Sequence, residues 1–370
     1  MKKPSLPATI LMTADTIGGV WTYALELTKA LQKYNVEVYL ATMGRRLSAS
    51  QWKAADNISN LAVKESEYAL EWMDSPWDAV DEAGAWLLEL ERQIKPDLIH
   101  LNNYAHGNLS WKAPVLTVGH SCVLSWWQAV KKEQAPDTFN IYAARVKEGL
   151  QQSDRVIGVS RHMLDCLKQH YGPFTTSGFI YNGRDKKGFY SSAKRPVIFS
   201  MGRIWDEAKN ISALEVISGH VPWPVYIAGE DYGHLMPRAD NLYPLGKLNS
   251  VEAAKWLSTS AIYVMPARYE PFGLSVLEAA LSGCAVIVGD IPSLREIWAD
   301  AALYADPNDP GDLKYQIETL IKDDDKRKLM AGKALQRAQR YSIDAFAGKY
   351  AGYYRQLLQG EQNKLASGVA

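Results

Sequence analysis

The sequence predicts an α/β protein built from two parallel-sheet domains. Short, almost continuously apolar runs alternate with stretches of helical period, the pattern of strands covered by helices on both faces. The series stops at a polar stretch, Asn182–Pro196, and then begins again. At 370 residues the chain is also longer than one core ordinarily serves.

The first run, Thr9–Ala14, meets the glycine turn Ile17-Gly18-Gly19-Val20, after which Val20, Tyr23, Ala24, Leu27 and Leu31 recur at helical spacing. Strand, turn and helix open a βα unit. Further strands are expected at Glu37–Thr42, Asp97–Asn102, Pro114–His120, Arg155–Ser160 and Gly178–Tyr181. The polar segment Asp185–Lys194 has the composition of an interdomain hinge. Beyond it, strands are expected at Val197–Met201, Val225–Ala228, Ala261–Met265 and Ala285–Val288. The domains therefore divide as 1–185 and 186–342, and a last helix over 343–358, carrying Phe346, Tyr350 and Tyr353, is expected to return to the first. Ligands of such sheets bind beyond the carboxyl ends of the strands, which places the expected site in a cleft between the domains.

Bulk composition removes several functions. Lys plus Arg and Asp plus Glu are both 41, so no net field recruits nucleic acid or an anionic membrane. No apolar run approaches the roughly 20 residues that span a bilayer, and Met1-Lys2-Lys3-Pro4 leads into a strand without a signal-peptide core, so a cytoplasmic location is expected. Cys122, Cys166 and Cys284 are scattered and read as core residues, forming neither a disulfide framework nor a metal set. Composition carries no signal of oligomeric state.

The segment Glu270-Pro271-Phe272-Gly273-Leu274-Ser275-Val276-Leu277-Glu278 carries the most chemistry. Pro271 suits a first helical position, where its missing N–H would have had no partner, so the amides of Phe272, Gly273, Leu274 and Ser275 are expected to point out of a helix N-terminus. Such an end binds anions, phosphate above all. Leu274, Leu277 and Leu281 fall on a core-facing stripe, while Ser275 and Glu278, three apart, line a more open face. A nucleoside diphosphate fits this layout, with amides and Ser275 on the distal phosphate, Glu278 on the ribose diol and Glu270 where a sugar would project. An ordinary amphipathic helix with solvated acids is the plain alternative. A glycosidase pair would need its carboxyls roughly 5 to 9.5 Å apart, whereas eight helical positions rise about 12 Å at roughly 1.5 Å each.

Gly202-Arg203-Ile204-Trp205-Asp206-Glu207-Ala208-Lys209-Asn210 lies where a second-domain strand gives way to a helix. Arg203 offers a planar fork and Lys209 a point charge, two complementary grips on a pyrophosphate.

Together, Glu270…Glu278, the Gly202-Arg203…Lys209 loop, Tyr181-Asn182-Gly183, Ile157-Gly158-Val159-Ser160, the Gly18-Gly19 turn and Ile291-Pro292-Ser293-Leu294-Arg295-Glu296-Ile297 resemble the retaining glycosyltransferases of family 4, over residues 9–358. The resemblance implies a GT-B fold: two Rossmann-like domains with parallel sheets facing across a cleft, the first taking an acceptor and the second a nucleotide-sugar donor. It implies that Arg203 and Lys209 neutralise the diphosphate, that Glu278 binds the ribose hydroxyls, and that Glu270 with the amides of Phe272 and Gly273 orients the donor sugar. Gly18 and Gly19, with Leu274 and Ser275, would line the donor, and Gly246-Lys247-Leu248 would hold the base. His120 resembles the active-site histidine beside the transferred sugar; at an ordinary pKa of about 6.5, activity is expected to fall as pH drops through that value. Arg184 departs from the pattern, since an aliphatic residue is commoner there, and it reads as a solvated hinge residue.

The expected reaction is retaining, metal-independent and cofactor-free transfer of a hexose from a nucleotide sugar, UDP before GDP, to a glycan, lipid-linked or small-molecule acceptor. Trp126-Trp127, with Lys131-Lys132 nearby, read equally as sugar-stacking acceptor contacts, as a weak peripheral membrane contact, and as packing beneath a loop. An epimerase or phosphorylase of the same fold, or a non-catalytic sugar-nucleotide sensor, is the alternative within this chemistry. An NAD-dependent oxidoreductase is the alternative outside it, although Gly18-Gly19 lacks the spaced Gly-x-Gly-x-x-Gly and no acid closes the strand Glu37–Thr42.

Overall fold

In the computed structural model, which describes residues 6–230 and 240–366, the apolar runs assemble into two parallel sheets. The first contains β1 (Thr9–Asp15), β2 (Glu37–Met43), β3 (Leu61–Glu65), β4 (Leu98–Leu101), β5 (Val115–Gly119), β6 (Arg155–Gly158) and β7 (Ser177–Phe179), in the order β3-β2-β1-β4-β5-β6-β7. The second contains β8 (Arg195–Met201), β9 (Val225–Ala228), β10 (Leu242–Gly246), β11 (Ser260–Met265), β12 (Ala285–Gly289) and β13 (Leu303–Ala305), in the order β10-β9-β8-β11-β12-β13. Both sheets wind alike. Strand order reverses between β1 and β4 in one and between β8 and β11 in the other, the switch points at which open α/β sheets bind ligands.

β3, β10 and β13 were not expected from the sequence, and each is an edge strand. The side chains of β3 and β10 are half-buried to exposed, and β10 contains Pro244, so neither reads as a continuous apolar run.

The chain divides into two units. The first runs through Trp127, resumes over Glu133–Gly183 and recovers the chain from Ile343; the second comprises Gln128–Lys132 and Arg184–Ser342. In the second, Ile198, Ile227, Ile262 and Ile287 of the sheet meet Leu214, Ile217, Leu313 and Ile317 of its helices in one core. In the first, the helix Gly19–Leu31 buries Tyr23, Ala24, Leu27 and Leu31, and the last helix, Ile343–Ala366, packs on it. That last helix buries Phe346, Tyr350 and Tyr354. Tyr353, expected among them, lies half-buried with the Arg155 guanidinium 4.4 Å over its ring.

Candidate active site

The helix carrying Glu278 spans Leu274–Leu281, three residues later than Pro271 suggests. Its N-cap is Gly273, whose left-handed backbone (φ 88°) turns the loop into the helix. A Cβ there would meet Met265 Cε and Val276 Cγ2 at 3.3 Å, in a conformation that L side chains disfavour. Val276, Leu277, Ala279 and Ala280 are buried, while Leu274, Ser275 and Glu278 share the half-open face; Leu274 therefore leaves the core stripe assigned to it from spacing.

The amides expected to bind an anion already meet a carboxylate of the chain's own. Glu270 Oε1 accepts the N–H of Gly273 at 3.0 Å, with that of Phe272 more distant at 3.4 Å. Glu270 Oε2 accepts from Lys209 Nζ at 2.6 Å, and the side chains are only 16% (Lys209) and 14% (Glu270) exposed. One carboxylate thus joins the helix start to a lysine 61 residues away in sequence.

The loop that carries Lys209 is stitched in place. Asn210 Nδ2 donates to Pro266 O (2.9 Å) and Pro307 O (2.8 Å), and Arg268 N donates to Ala208 O at 2.8 Å. Asp206 caps the turn Glu207–Lys209 by accepting from Ala208 N, and its other oxygen accepts from Arg203 Nη2 at 2.7 Å. Nε of Arg203 is buried with no partner among the described residues, although the side chain as a whole is half-exposed. Ser293, inside the Ile291–Ile297 motif, donates its hydroxyl to Glu270 O at 2.6 Å and so buttresses the Glu270 loop.

Glu278 is also paired. Arg184 Nη2 lies 2.8 Å from Glu278 Oε1, and each side chain is 12% exposed. The solvated-hinge reading of Arg184 is corrected by that contact. Ser275 Oγ lies 3.7 Å from Met265 Sδ. Lys247 is exposed and pairs with Glu230, and Leu248 beside it is half-buried.

In the first unit, the Gly18-Gly19 turn lies exposed beyond β1, with Gly18 at φ 96° as the N-cap of the helix Gly19–Leu31. No side chain other than hydrogen suits that cap. His120 follows β5 directly. Asn102 Nδ2 donates to Thr13 O at 2.7 Å, which turns Asn102 Oδ1 towards His120 Nε2 at 2.8 Å. The imidazole therefore donates through Nε2 and keeps Nδ1 as its acceptor. Thr13 Oγ1 accepts from Asn102 N and donates to Asn103 Oδ1, tying the ends of β1 and β4 together. Tyr23 meets the His120 ring edge to face at 4.5 Å.

Burial pushes His120 down to about 3, so the titration expected near 6.5 is replaced by an imidazole that stays neutral across the physiological range. His100 is likewise pushed to about 3, first by burial and then by His120, and sits between the hydroxyls of Tyr23 (3.2 Å) and Tyr354 (2.7 Å). Glu71, absent from the sequence reading, accepts the N–H groups of Tyr104 (3.0 Å) and Ala105 (2.7 Å), and burial raises it to about 7. Asn102 and Asn103 were also missed as polar residues of this site, although Asn102 ends a strand identified from its apolar pattern. Trp126 and Trp127 lie half-buried on the helix Val123–Val130, their rings 5.7 Å apart, with Trp127 against Phe139 at 6.3 Å.

Two family models match in succession: Glycosyltransferase Family 4 over residues 17–187, and Glycosyl transferases group 1 over residues 184–337. The chain belongs to the family 4 glycosyltransferases. Its fold is GT-B, shared with a sucrose-phosphate synthase of Thermosynechococcus elongatus (TM-score 0.80, 18% identity, 95% of this chain and 99% of that one). The HepE protein of Anabaena, solved with UDP and glucose, superposes at TM-score 0.74 with 15% identity, over 93% of this chain and 98% of that one. In sequence, a glycogen synthase of Mycobacterium tuberculosis is 24% identical over 299 residues, 72% of this chain and 70% of that enzyme. An O-antigen chain mannosyltransferase B of Escherichia coli is 38% identical over 80 residues, a match covering 22% of this chain and 21% of that enzyme's length. Among the described residues, no helix is long and apolar enough to cross a membrane, and no group of three or more His, Cys, Asp or Glu is placed to hold a metal ion.

Proposed function

We propose that this glycosyltransferase moves a hexose from a nucleoside diphosphate sugar, UDP in preference to GDP, to a hydroxyl acceptor, with retention of configuration and without a metal. The observation that carries the reading is the Lys209–Glu270 contact, because it unites the basic loop and the helix N-terminus in one site within the second unit. Lys209, the half-exposed guanidinium of Arg203 and the amides of Leu274 and Ser275 would receive the diphosphate. As the sugar–phosphate bond breaks, negative charge grows on that diphosphate, and fixed cations and amides stabilise it without reorganising. Glu278 would accept from the ribose diol and Glu270 would orient the sugar. His120 is assigned to a sugar hydroxyl, and its neutral imidazole adds no charge against the cation developing at the anomeric carbon. Solved relatives with UDP and with UDP-glucose support the choice of base.

The acceptor is assigned only as a glycan, a lipid-linked sugar or a small molecule, with Trp126 and Trp127 as its contacts. Lys247 and Leu248 are assigned to the base, and Gly18 and Gly19 to the donor sugar. A cytoplasmic location goes with a soluble sugar-nucleotide donor.

The test separates the two glutamates by titration and by turnover. Glu278→Gln is expected to weaken UDP binding about 10- to 100-fold, the scale of a lost charge-assisted hydrogen bond. Glu270→Gln releases Lys209 and removes a negative charge beside the phosphates, so UDP binding holds or tightens while sugar transfer collapses. His120→Ala is expected to lose transfer with nucleotide affinity intact. Equal loss of UDP affinity in both glutamate variants, or transfer that stops on chelation of divalent ions, would sink the reading.

A further inference from the structure

Arg184 is held at three points. Its N–H donates to Tyr341 O at 3.1 Å and its backbone bridges that of Ser342, so the start of the second unit is paired with its end. Its guanidinium lies 5.2 Å over the Phe189 ring. Its Nη2 reaches Glu278 Oε1 at 2.8 Å, in a pair that leaves each side chain 12% exposed. An exposed ion pair contributes little, but at this burial loss of one partner leaves the other as an uncompensated charge.

Glu278 has three rotatable bonds, and a carboxylate that reads a diol must hold one plane at one height. We propose that Arg184 is the positioning residue for ribose recognition: it pins the Glu278 carboxylate, balances its charge, and so sets the preference of the site for ribonucleoside over 2′-deoxyribonucleoside diphosphates. An aliphatic side chain at 184 would do neither. The inference rests on the donor-site reading above, in which Glu278 meets the ribose. The competing role, a direct phosphate contact, predicts a loss of affinity indifferent to the ribose 2′-hydroxyl.

Calorimetric titration of the full chain with UDP and GDP, each beside its 2′-deoxy counterpart, separates these roles. The wild type is expected to prefer the ribonucleotide by at least about tenfold. Arg184→Met should bring that ratio to within about twofold of unity, chiefly by weakening the ribonucleotide, and Arg184→Lys should recover part of it. Should Arg184→Met melt below the assay temperature, the uncharged Arg184→Gln takes its place. An undiminished ratio, or equal weakening of both nucleotides, overturns the inference and leaves the donor site standing. A wild type that binds all four nucleotides without ribose preference removes the role of Glu278 and this inference with it. A wild type that binds none of them overturns the donor site itself.

Discussion

His100 and His120 are held near a pKa of about 3, against 6.5 for a free imidazole, so each is neutral in the folded chain where it would be protonated in the unfolded one. A depressed base destabilises the fold as pH falls, with the penalty absent above 6.5 and complete below 3. Glu71 acts in the opposite sense. At about 7 when folded against 4.5 when free, it contributes stability that is full below 4.5 and lost as pH rises through 7. Between about pH 5 and 6 the unfolded chain takes up two protons on the histidines and the folded chain one on Glu71, a net uptake of about one on unfolding. Stability should therefore climb with pH there, since the two histidines outweigh Glu71. Glu71→Gln should make the climb steeper, read from denaturant midpoints across that window; an unchanged slope would show that Glu71 titrates as an ordinary carboxylate. None of this was legible in the sequence, where nothing marks His100 or Glu71 as enclosed by the fold. The same limit applied to Arg184, whose neighbour Glu278 lies far along the chain.

At the scale of the element, the loop Glu270–Gly273 does two jobs with one backbone. It returns a carboxylate onto its own amides, and it delivers the helix Leu274–Leu281 at the angle that the left-handed Gly273 sets. Gly273→Ala should cost about 1 to 2 kcal/mol in stability, the usual penalty for a side chain in that conformation. If the helix N-terminus receives the phosphates as proposed, UDP affinity should drop further than the melting temperature alone accounts for. Unaltered affinity in a destabilised variant would uncouple the loop from the nucleotide. Central strands such as β1, β2, β9 and β12 were legible because burial on both faces demands unbroken apolar runs. The strands β3, β10 and β13 were not, since their side chains are largely half-buried to exposed and leave no unbroken apolar run. The helix start was misplaced for a related reason: proline announces a permitted φ, not where hydrogen bonding begins.

In the molecule as a whole, the second unit is nearly one stretch of chain, Arg184–Ser342, with its own core, whereas the first is drawn from both sides of it. On the proposed assignment of His120, residues 184–342 expressed alone should fold and bind UDP with nearly full affinity yet transfer no sugar; a fragment that folds without binding would show that the nucleotide needs the first unit. The alternation of strand and helix, and the restart after a polar stretch, made the two sheets readable from the sequence. Which residues met within each sheet's mouth depended on contacts such as Lys209 with Glu270, which no local pattern announces. The pairing of Arg184 with Ser342 bears on the order in which the chain acquires its structure. His100 and Tyr354, hydrogen-bonded across 254 positions, close a very long loop, and the entropy of closing it grows with the length of chain left free. Once the second unit has condensed and drawn Arg184 to Ser342, that part of the intervening length collapses to a bridge, and the last helix covers Tyr23 and His100 at a lower entropic cost. Completion of the first unit is thereby favoured once the second has formed, and a nascent chain carries an uncovered aromatic surface until the helix Ile343–Ala366 has been synthesised.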